Sequence, residues 1–337
     1  MEIKKFSIFD TQIQDFIKTH SESLFDTLDW LEVLKEGFNA DVSYYALMDN
    51  NKIILSISTI LLDFKFIKMS YSNIPYGGFI GDKSYIYDFI FLLEKKLKSE
   101  GIDILRITKK YNDNFKDFKG YKILSGSQQI LNIKGLTEES LWQGYKKRIR
   151  RDVRRAEKLG IILKESSNRN DVEILYAIYK ETMTRNKTYA TWSKKAFYSI
   201  YDNLILKGKG VVFLAEINNQ CIAGIIILYS KDTAYYFMNA SKKDYLSYCP
   251  NDLLVHTAIT VSIRNGKEYF DFMTSPKNEI ELVKFKEKWG SLCYPFYILE
   301  KDLVYLKPKI WNFVWAFANS KYGCWILRMY NKLFREK

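Results

Sequence analysis

The most constraining feature of this sequence is the order of elements read from its periodicity after Gly160. A strand, Ile161 to Lys164, precedes two helices, Asp171 to Thr184 and Ser193 to Leu206. Three strand-like runs succeed one another: Gly210 to Ile217, Gln220 to Tyr229 and Thr233 to Ala240. A helix from Asp252 to Asn265, a strand from Glu268 to Phe272, a short helix near Glu279 to Lys288 and a strand from Cys293 to Leu299 follow. The order β-α-α-β-β-β-α-β-α-β predicts one α/β unit in which helices cover a sheet.

The first half reads similarly. Asp26 to Phe38 carries Trp30, Val33, Leu34 and Phe38 on one helical face. Strands at Val42 to Leu47 and Ile53 to Leu62 flank the turn Asp49-Asn50-Asn51. A loop punctuated by Pro75, Gly77, Gly78 and Gly81 leads to a helix, Tyr85 to Ser99, and a strand, Asp103 to Thr108. A length of 337 residues favours two cores over one. The expected fold is therefore α/β with mixed sheets in two domains, residues 1–136 and 161–300.

Residues 137–160 join them. Thr137 is a plausible N-cap, Glu138 and Glu139 suit the positive end of a helix, and Gly160 stops it. Trp142, Tyr145, Ile149, Val153 and Ala156 form an apolar stripe, and lysines and arginines fill the rest. Arg148, Arg151 and Arg155 share a face able to hold a diphosphate or an RNA backbone, or simply to be solvated. The formal net charge of +13 favours polyanionic partners of the same kinds, or anionic lipid.

Residues 301–337 form a basic, aromatic tail in which Pro308 can open a helix. Such a helix would dock on the body of the protein or lie at an anionic membrane surface. The amino-terminal stretch lacks the apolar core of a secretory signal, and no run approaches the roughly 20 apolar residues of a membrane span. Cys221, Cys249, Cys293 and Cys324 form no CxxC pair and have no histidine at ligand spacing, so neither a metal nor a disulfide framework is expected. A reduced, cytoplasmic setting, with the tail at the inner membrane face if it docks there, is the expectation.

The chemistry is narrowed by elimination. His20 and His256 sit in no nucleophile or metal context, and no phosphate loop or dinucleotide fingerprint is present. Direct transfer remains: an amine attacks an activated acyl group, which requires orientation, oxyanion donors and a proton acceptor. Asp271 in YFDFM is either that acceptor or a buried structural carboxylate. Tyr235, Tyr236 and Asn239 on the preceding strand line an acyl channel or pack the core, and the IPYGGF loop, with Tyr76, meets substrate or is only a tight turn.

The element order after Gly160 is the one used by GNAT acyltransferases. The segment that would carry their glycine-rich pyrophosphate loop reads ASKKDYLSYCPNDLL and contains no glycine, which counts against acetyl-CoA. It resembles instead the Fem aminoacyltransferases of the compact FemX type. Further agreement lies in LDWLEVLKEGF, VFLAEINNQCIAGIIILYSKDTAYYFMNAS, YFDF and FKEKWG, spanning about Asp26 to Leu299.

The resemblance implies tandem GNAT-like domains, no bound cofactor, aminoacyl-tRNA as donor and a nucleotide- or lipid-linked wall precursor as acceptor. It places Tyr248 at the family's turn tyrosine and Lys286, with Phe285, at its FK pair. Lys286 would hold a phosphate or the developing oxyanion, and Tyr248 would orient the nucleophile or carbonyl. The family's carboxylate on the first-domain strand is replaced by Thr108, and its first-helix lysine is displaced to Lys35. The alternatives are an acyl-CoA-dependent enzyme acting on a polysaccharide amino sugar and a non-catalytic RNA-binding protein.

Overall fold

The computed structural model describes residues 1–109, 118–166, 168–188, 190–275 and 279–311. Among these described residues thirteen strands form one sheet: β1 (Glu2–Ser7), β2 (Asp41–Asp49), β3 (Lys52–Asp63), β4 (Lys68–Tyr71), β5 (Phe79–Gly81), β6 (Ile104–Lys109), β7 (Lys122–Asn132), β8 (Ile162–Glu165), β9 (Gly210–Ile217), β10 (Gln220–Tyr229), β11 (Thr233–Ser241), β12 (Tyr269–Ser275) and β13 (Leu292–Asp302). Their spatial order is β1-β2-β3-β4-β6-β13-β7-β12-β11-β10-β9-β8, with β5 beside β3. The helices are α1 (Thr11–His20), α2 (Leu28–Phe38), α3 (Ile86–Ser99), α4 (Glu138–Gly144), α5 (Lys147–Lys158), α6 (Arg169–Arg185), α7 (Lys194–Ile200), α8 (Pro250–Arg264) and α9 (Ile280–Glu287).

The two halves echo each other in backbone geometry. β2 and β3 are joined through Asn50 and Asn51, and β9 and β10 through Asn218 and Asn219, all four at positive φ. Two successive left-handed residues make the hairpin turn that matches strand twist, and asparagine tolerates that conformation. Each half also contains a parallel pair, β4 with β6 and β11 with β12. The other ladders are antiparallel, so the expected mixed sheet is present, as one continuous sheet.

Its helices bury three main cores. One mixes both halves, with Ile13 of α1, Trp30 and Leu34 of α2, Leu175 of α6 and Phe197 of α7. Gly37 lets α2 approach α7: a Cβ there would lie 2.7 Å from the Ala196 Cα. The second core places Ile149 and Val153 of α5 and Leu254 and Ala258 of α8 against Phe270 and Phe272 of β12. The third sets Phe89 and Leu93 of α3 on Leu47, Ile57 and Ile107.

The expected single basic helix is two. Thr137 does cap the first, in a reciprocal capping box with Ser140, but the backbone turns extended at Tyr145 and Lys146. Arg150 reaches back to donate to the carbonyls of Gln143 (3.0 Å) and Tyr145 (2.5 Å), which occupies the open end of α4. Tyr145 is buried at the bend, its hydroxyl 3.3 Å from His256 Nδ1. Helical residues begin again at Leu306, and Trp311 stacks on Phe64 at 5.1 Å, so the start of the tail docks on the first half. The rest of the tail, with Cys324, lies outside the described residues.

The loop before β5 is fixed by Thr108. Its hydroxyl accepts from Gly77 N at 2.9 Å and lies 2.5 Å from Gly77 O, and its amide donates to Ser72 Oγ at 2.8 Å. A Cβ at Gly77 would fall 1.4 Å from Ser72 O. Gly77→Ala is expected to cost about 2–3 kcal/mol in urea unfolding, because backbone rather than a pliable side chain must move. A loss below half of that would mean the loop has another way to close.

Candidate active site

β11 and β12 pair over only three positions, Thr233 with Tyr269, Ala234 with Phe270 and Tyr235 with Asp271. Beyond Tyr235 and Asp271 the two strands part, and Asp271 stands at the crotch of the fork. Phe270 and Phe272 point into the core under α5 and α8, whereas Tyr235 and Tyr76 belong to the core shared by the two halves. Strand alternation therefore turns the Asp271 carboxyl toward Tyr76.

Asp271 is buried, 2% exposed. Oδ2 accepts from Gln128 Nε2 at 2.7 Å, and Oδ1 accepts from the Met273 amide at 2.7 Å and the Tyr76 hydroxyl at 3.3 Å. Burial pushes its pKa up to about 6, opposed by these hydrogen bonds and by the positive charge of Lys286. Burial and the neighbouring carboxylate raise the Tyr76 phenol well above its ordinary value, so Tyr76 acts as a donor.

β12 then bulges. The register against β7 shifts between Asp271 and Thr274, and Met273 takes φ +65°. A left-handed non-glycine residue costs about 1–2 kcal/mol and persists where its surroundings hold it. Lys286 of α9 supplies the hold. Its Nζ donates to Met273 O (3.1 Å), Thr274 O (3.0 Å) and Ser275 Oγ (2.8 Å), and the side chain is buried. Burial lowers the Lys286 pKa to about 8, and Asp271 opposes the drop. The ammonium has three protons and three protein acceptors.

On the α5 side of the sheet a second group of expected residues gathers. Tyr248 ends the 3-10 turn Lys243–Tyr248, half-buried, with its ring 5.5 Å from that of Tyr245. Cys249 follows in the left-handed region and Pro250 opens α8. Asp152, Cys249 and Asp252 present ligand atoms within 4.8 Å of one another, but both carboxylates are paired with cations. Asp152 meets Arg151 at 2.9 Å and Arg148 at 3.6 Å, and Asp252 meets Lys288. The Asp252–Lys288 pair ties the end of α9 to the first turn of α8, next to the turn that carries Tyr248, whereas the pairs of Asp152 lie within α5. Arg148, Arg151 and Arg155 remain exposed, and Phe285 lies 4.4 Å beneath the Lys288 ammonium.

The expected residues thus fall into two sets on opposite faces of the sheet. Asp271 and Tyr76 are together, and Arg148, Arg151, Arg155, Tyr248 and Phe285 are together, with Lys286 at the fork. Tyr236 packs against the second core, where burial raises its phenol pKa. Asn239 lies on β11 beyond its pairing with β12 and opposite Ile225 of β10, its Nδ2 buried and without a partner. Lys35 sits apart, exposed on α2 with its ammonium 4.5 Å over Phe9. Gln128, which positions Asp271, was not anticipated. Its strand reads KILSGSQQILN, and the mark of its role is a pair of glutamines entering an apolar run.

Residues 143–286 match the family model of the acetyltransferase (GNAT) domain. No curated protein matches the chain. Among solved structures the fold is that of tandem GNAT proteins, and a tandem GNAT protein from the clavulanic acid biosynthesis pathway superimposes with a TM-score of 0.57 at 10% identity, over 90% of this chain and 99% of that one. FemX shares this fold and superimposes with a TM-score of 0.67 at 16% identity, over 92% of this chain and 99% of that one. The C-terminal domain of a putative lysylphosphatidylglycerol synthetase from Agrobacterium fabrum gives 0.58 at 11% identity, over 91% and 98%. Among the described residues no helix is long and apolar enough to cross a membrane.

Proposed function

We propose that this chain is an acyltransferase that moves an aminoacyl group from aminoacyl-tRNA to an amine of a nucleotide- or lipid-linked envelope precursor. The observation that carries the reading is the fork between β11 and β12, which holds a buried carboxylate at its crotch and is flanked by the arginine face of α5. The amine nitrogen attacks the ester carbonyl. The new C–N bond forms, the C–O bond to the ribose breaks, and the proton released by nitrogen passes to Asp271 before reaching the ribose oxygen. Asn239 Nδ2 is a buried donor with no other duty, suited to the carbonyl oxygen as charge develops there. Tyr248 orients the acyl end at the turn before α8.

The start of α8 favours this donor over a diphosphate-bearing one. Pro250 contributes no amide hydrogen, the amides of Asp252 and Leu253 are turned to Cys249 O, and the Asp252 carboxylate already occupies the first turn. A second reading, an acyl-CoA-dependent N-acyltransferase of a polysaccharide amino sugar, draws support from the acetyltransferase domain match. Mass spectrometry of envelope precursors from a deletion strain and its parent separates them: the proposal expects loss of an amino-acid residue mass. Loss of an acetyl mass would select the second reading, and unchanged precursors would remove both.

The arginine face has its own test. Arg148→Gln, Arg151→Gln and Arg155→Gln combined should weaken tRNA binding about tenfold or more at low salt. The slope of log affinity against log salt should fall by about 2–3, because each phosphate contact releases about one counterion. An unchanged slope would remove this face from the RNA site.

A further inference from the structure

The hairpin turns at Asn50-Asn51, Asn218-Asn219 and Ser230-Lys231-Asp232 are polar, whereas the turn from β3 to β4 reads Phe64-Lys65-Phe66. Lys65 holds φ +65°, a conformation that glycine or asparagine adopts more cheaply, so a lysine side chain is kept there against the backbone preference. Asp63 Oδ1 accepts from the Lys65 amide at 2.8 Å and Phe64 N donates to Ile67 O at 3.0 Å, which fixes the turn. Phe64 and Phe66 are nevertheless 47% and 45% exposed. The start of the tail is fastened beside them. Buried Asp103 accepts from the Lys68 amide at 2.8 Å and meets Lys307 at 3.3 Å, and Trp311 packs on Ile67, Met69 and Ile104 as well as on Phe64. On this segment Tyr305, Leu306 and Ile310 are exposed, with the Lys309 ammonium 3.8 Å over the Tyr305 ring.

Charge decides what such a surface meets. Residues 63–68, 103 and 303–311 hold four lysines against two aspartates, Asp63 and Asp103, and both aspartates are already paired with lysines. Residues 312–337 add five lysines and arginines and one glutamate. A second copy of the chain would set lysine against lysine here, and so would the rest of the tail. We propose that this end of the first half is a membrane-docking surface whose partner is an anionic phospholipid bilayer. Phe64, Phe66, Leu306 and Ile310 enter the boundary between headgroups and acyl chains, while Lys65 and Lys309 meet lipid phosphates. The inference goes beyond the transfer reading and does not depend on it, since it concerns where the protein works and not which group it moves.

Co-sedimentation of the full chain with vesicles of equal parts phosphatidylglycerol and phosphatidylcholine tests the surface without any transfer step. Binding about tenfold or more tighter than to pure phosphatidylcholine vesicles is expected. Lys65→Gly combined with Phe66→Ser keeps the turn, because glycine suits the left-handed position, and should weaken that binding about tenfold with no fall in melting temperature. Leu206→Ser, at an exposed leucine beside Lys207 in the second half, should leave binding unchanged. No binding to the anionic vesicles, equal binding to both kinds, or a loss from Leu206→Ser matching that of the double variant would overturn the assignment. Full binding by the double variant would overturn it as well, and would give any membrane contact to residues beyond Trp311. A dimer in light scattering that the double variant dissociates, with no vesicle binding, would hand the surface to a second copy of the chain.

Discussion

Asp271→Asn is expected to lower kcat by about 10²–10⁴ while changing KM little, because it removes the proton acceptor and preserves the shape of the fork. The fold can adapt: the unpaired Gln128 Oε1 can turn toward the new amide by rotation of its side chain. The pH profile makes the test specific. With its pKa near 6, Asp271 is ionised and able to accept a proton above that value, so wild-type rate should fall about tenfold per unit as pH drops below it. In the variant the residual rate should lose that limb. Stability moves in the opposite sense. A carboxyl whose pKa is raised on folding from 3.8 to about 6 stabilises the native state at low pH and loses that contribution as pH climbs through this window, an effect of up to ~3 kcal/mol. Asp271→Asn should therefore be relatively more stable than wild type at pH 8 than at pH 4, read by urea unfolding at the two values. A variant that keeps half its turnover, with the acid limb in place, would remove Asp271 from the chemistry.

Lys286→Ala is the second large effect, and here geometry refines what the family resemblance implies. Each ammonium proton is already directed at Met273 O, Thr274 O or Ser275 Oγ. The substitution leaves two strand carbonyls and a hydroxyl without their donor and frees a strained Met273. We expect about 2–4 kcal/mol of lost stability together with a fall in kcat of about 10², because the bulge that turns the Asp271 carboxyl and its capping amide would relax. Lys286 is thus proposed as a positioning residue. Wild-type activity should also decline above about pH 8 as the ammonium loses its proton and the bulge its tie. Loss of turnover at unchanged stability would instead put the Lys286 ammonium on the substrate, as an oxyanion or phosphate donor.

The second half of the chain was legible because its elements are long and its periods clear. β9, β10, β11, α6 and α8 fall within about two residues of their expected bounds, since buried strands and amphipathic helices of that length leave little choice. β7 was not legible. It is a central strand with buried Gln128 and Gln129, and polar residues in a core position erase the apolar pattern on which recognition of a strand depends. The break between α4 and α5 was hidden for a related reason, because the apolar stripe continues in sequence through Tyr145 while a long-range contact with His256 sets the bend. Asp271 and Tyr76 were each visible as candidates, but nothing in the letters brings residues so far apart in the chain to one hydrogen bond. Thr108, read as a missing carboxylate, turns out to fasten the loop that delivers Tyr76.

The place of β13 between β6 and β7 has a consequence for how the molecule is made. β6 is complete by Lys109 and β7 by Asn132, yet the strand joining them ends at Asp302, and the other neighbour of β7, β12, starts only at Tyr269. As the chain leaves the ribosome, the middle of the sheet therefore waits with open edges for well over a hundred residues, and unpaired edges invite pairing with other chains. Polar residues on both faces of β7, with Ser125, Ser127 and Gln129 on one and Gln128 on the other, temper that exposure during synthesis. The residues that obscured β7 in the sequence thus also suit a strand that must remain unpaired until its neighbours emerge.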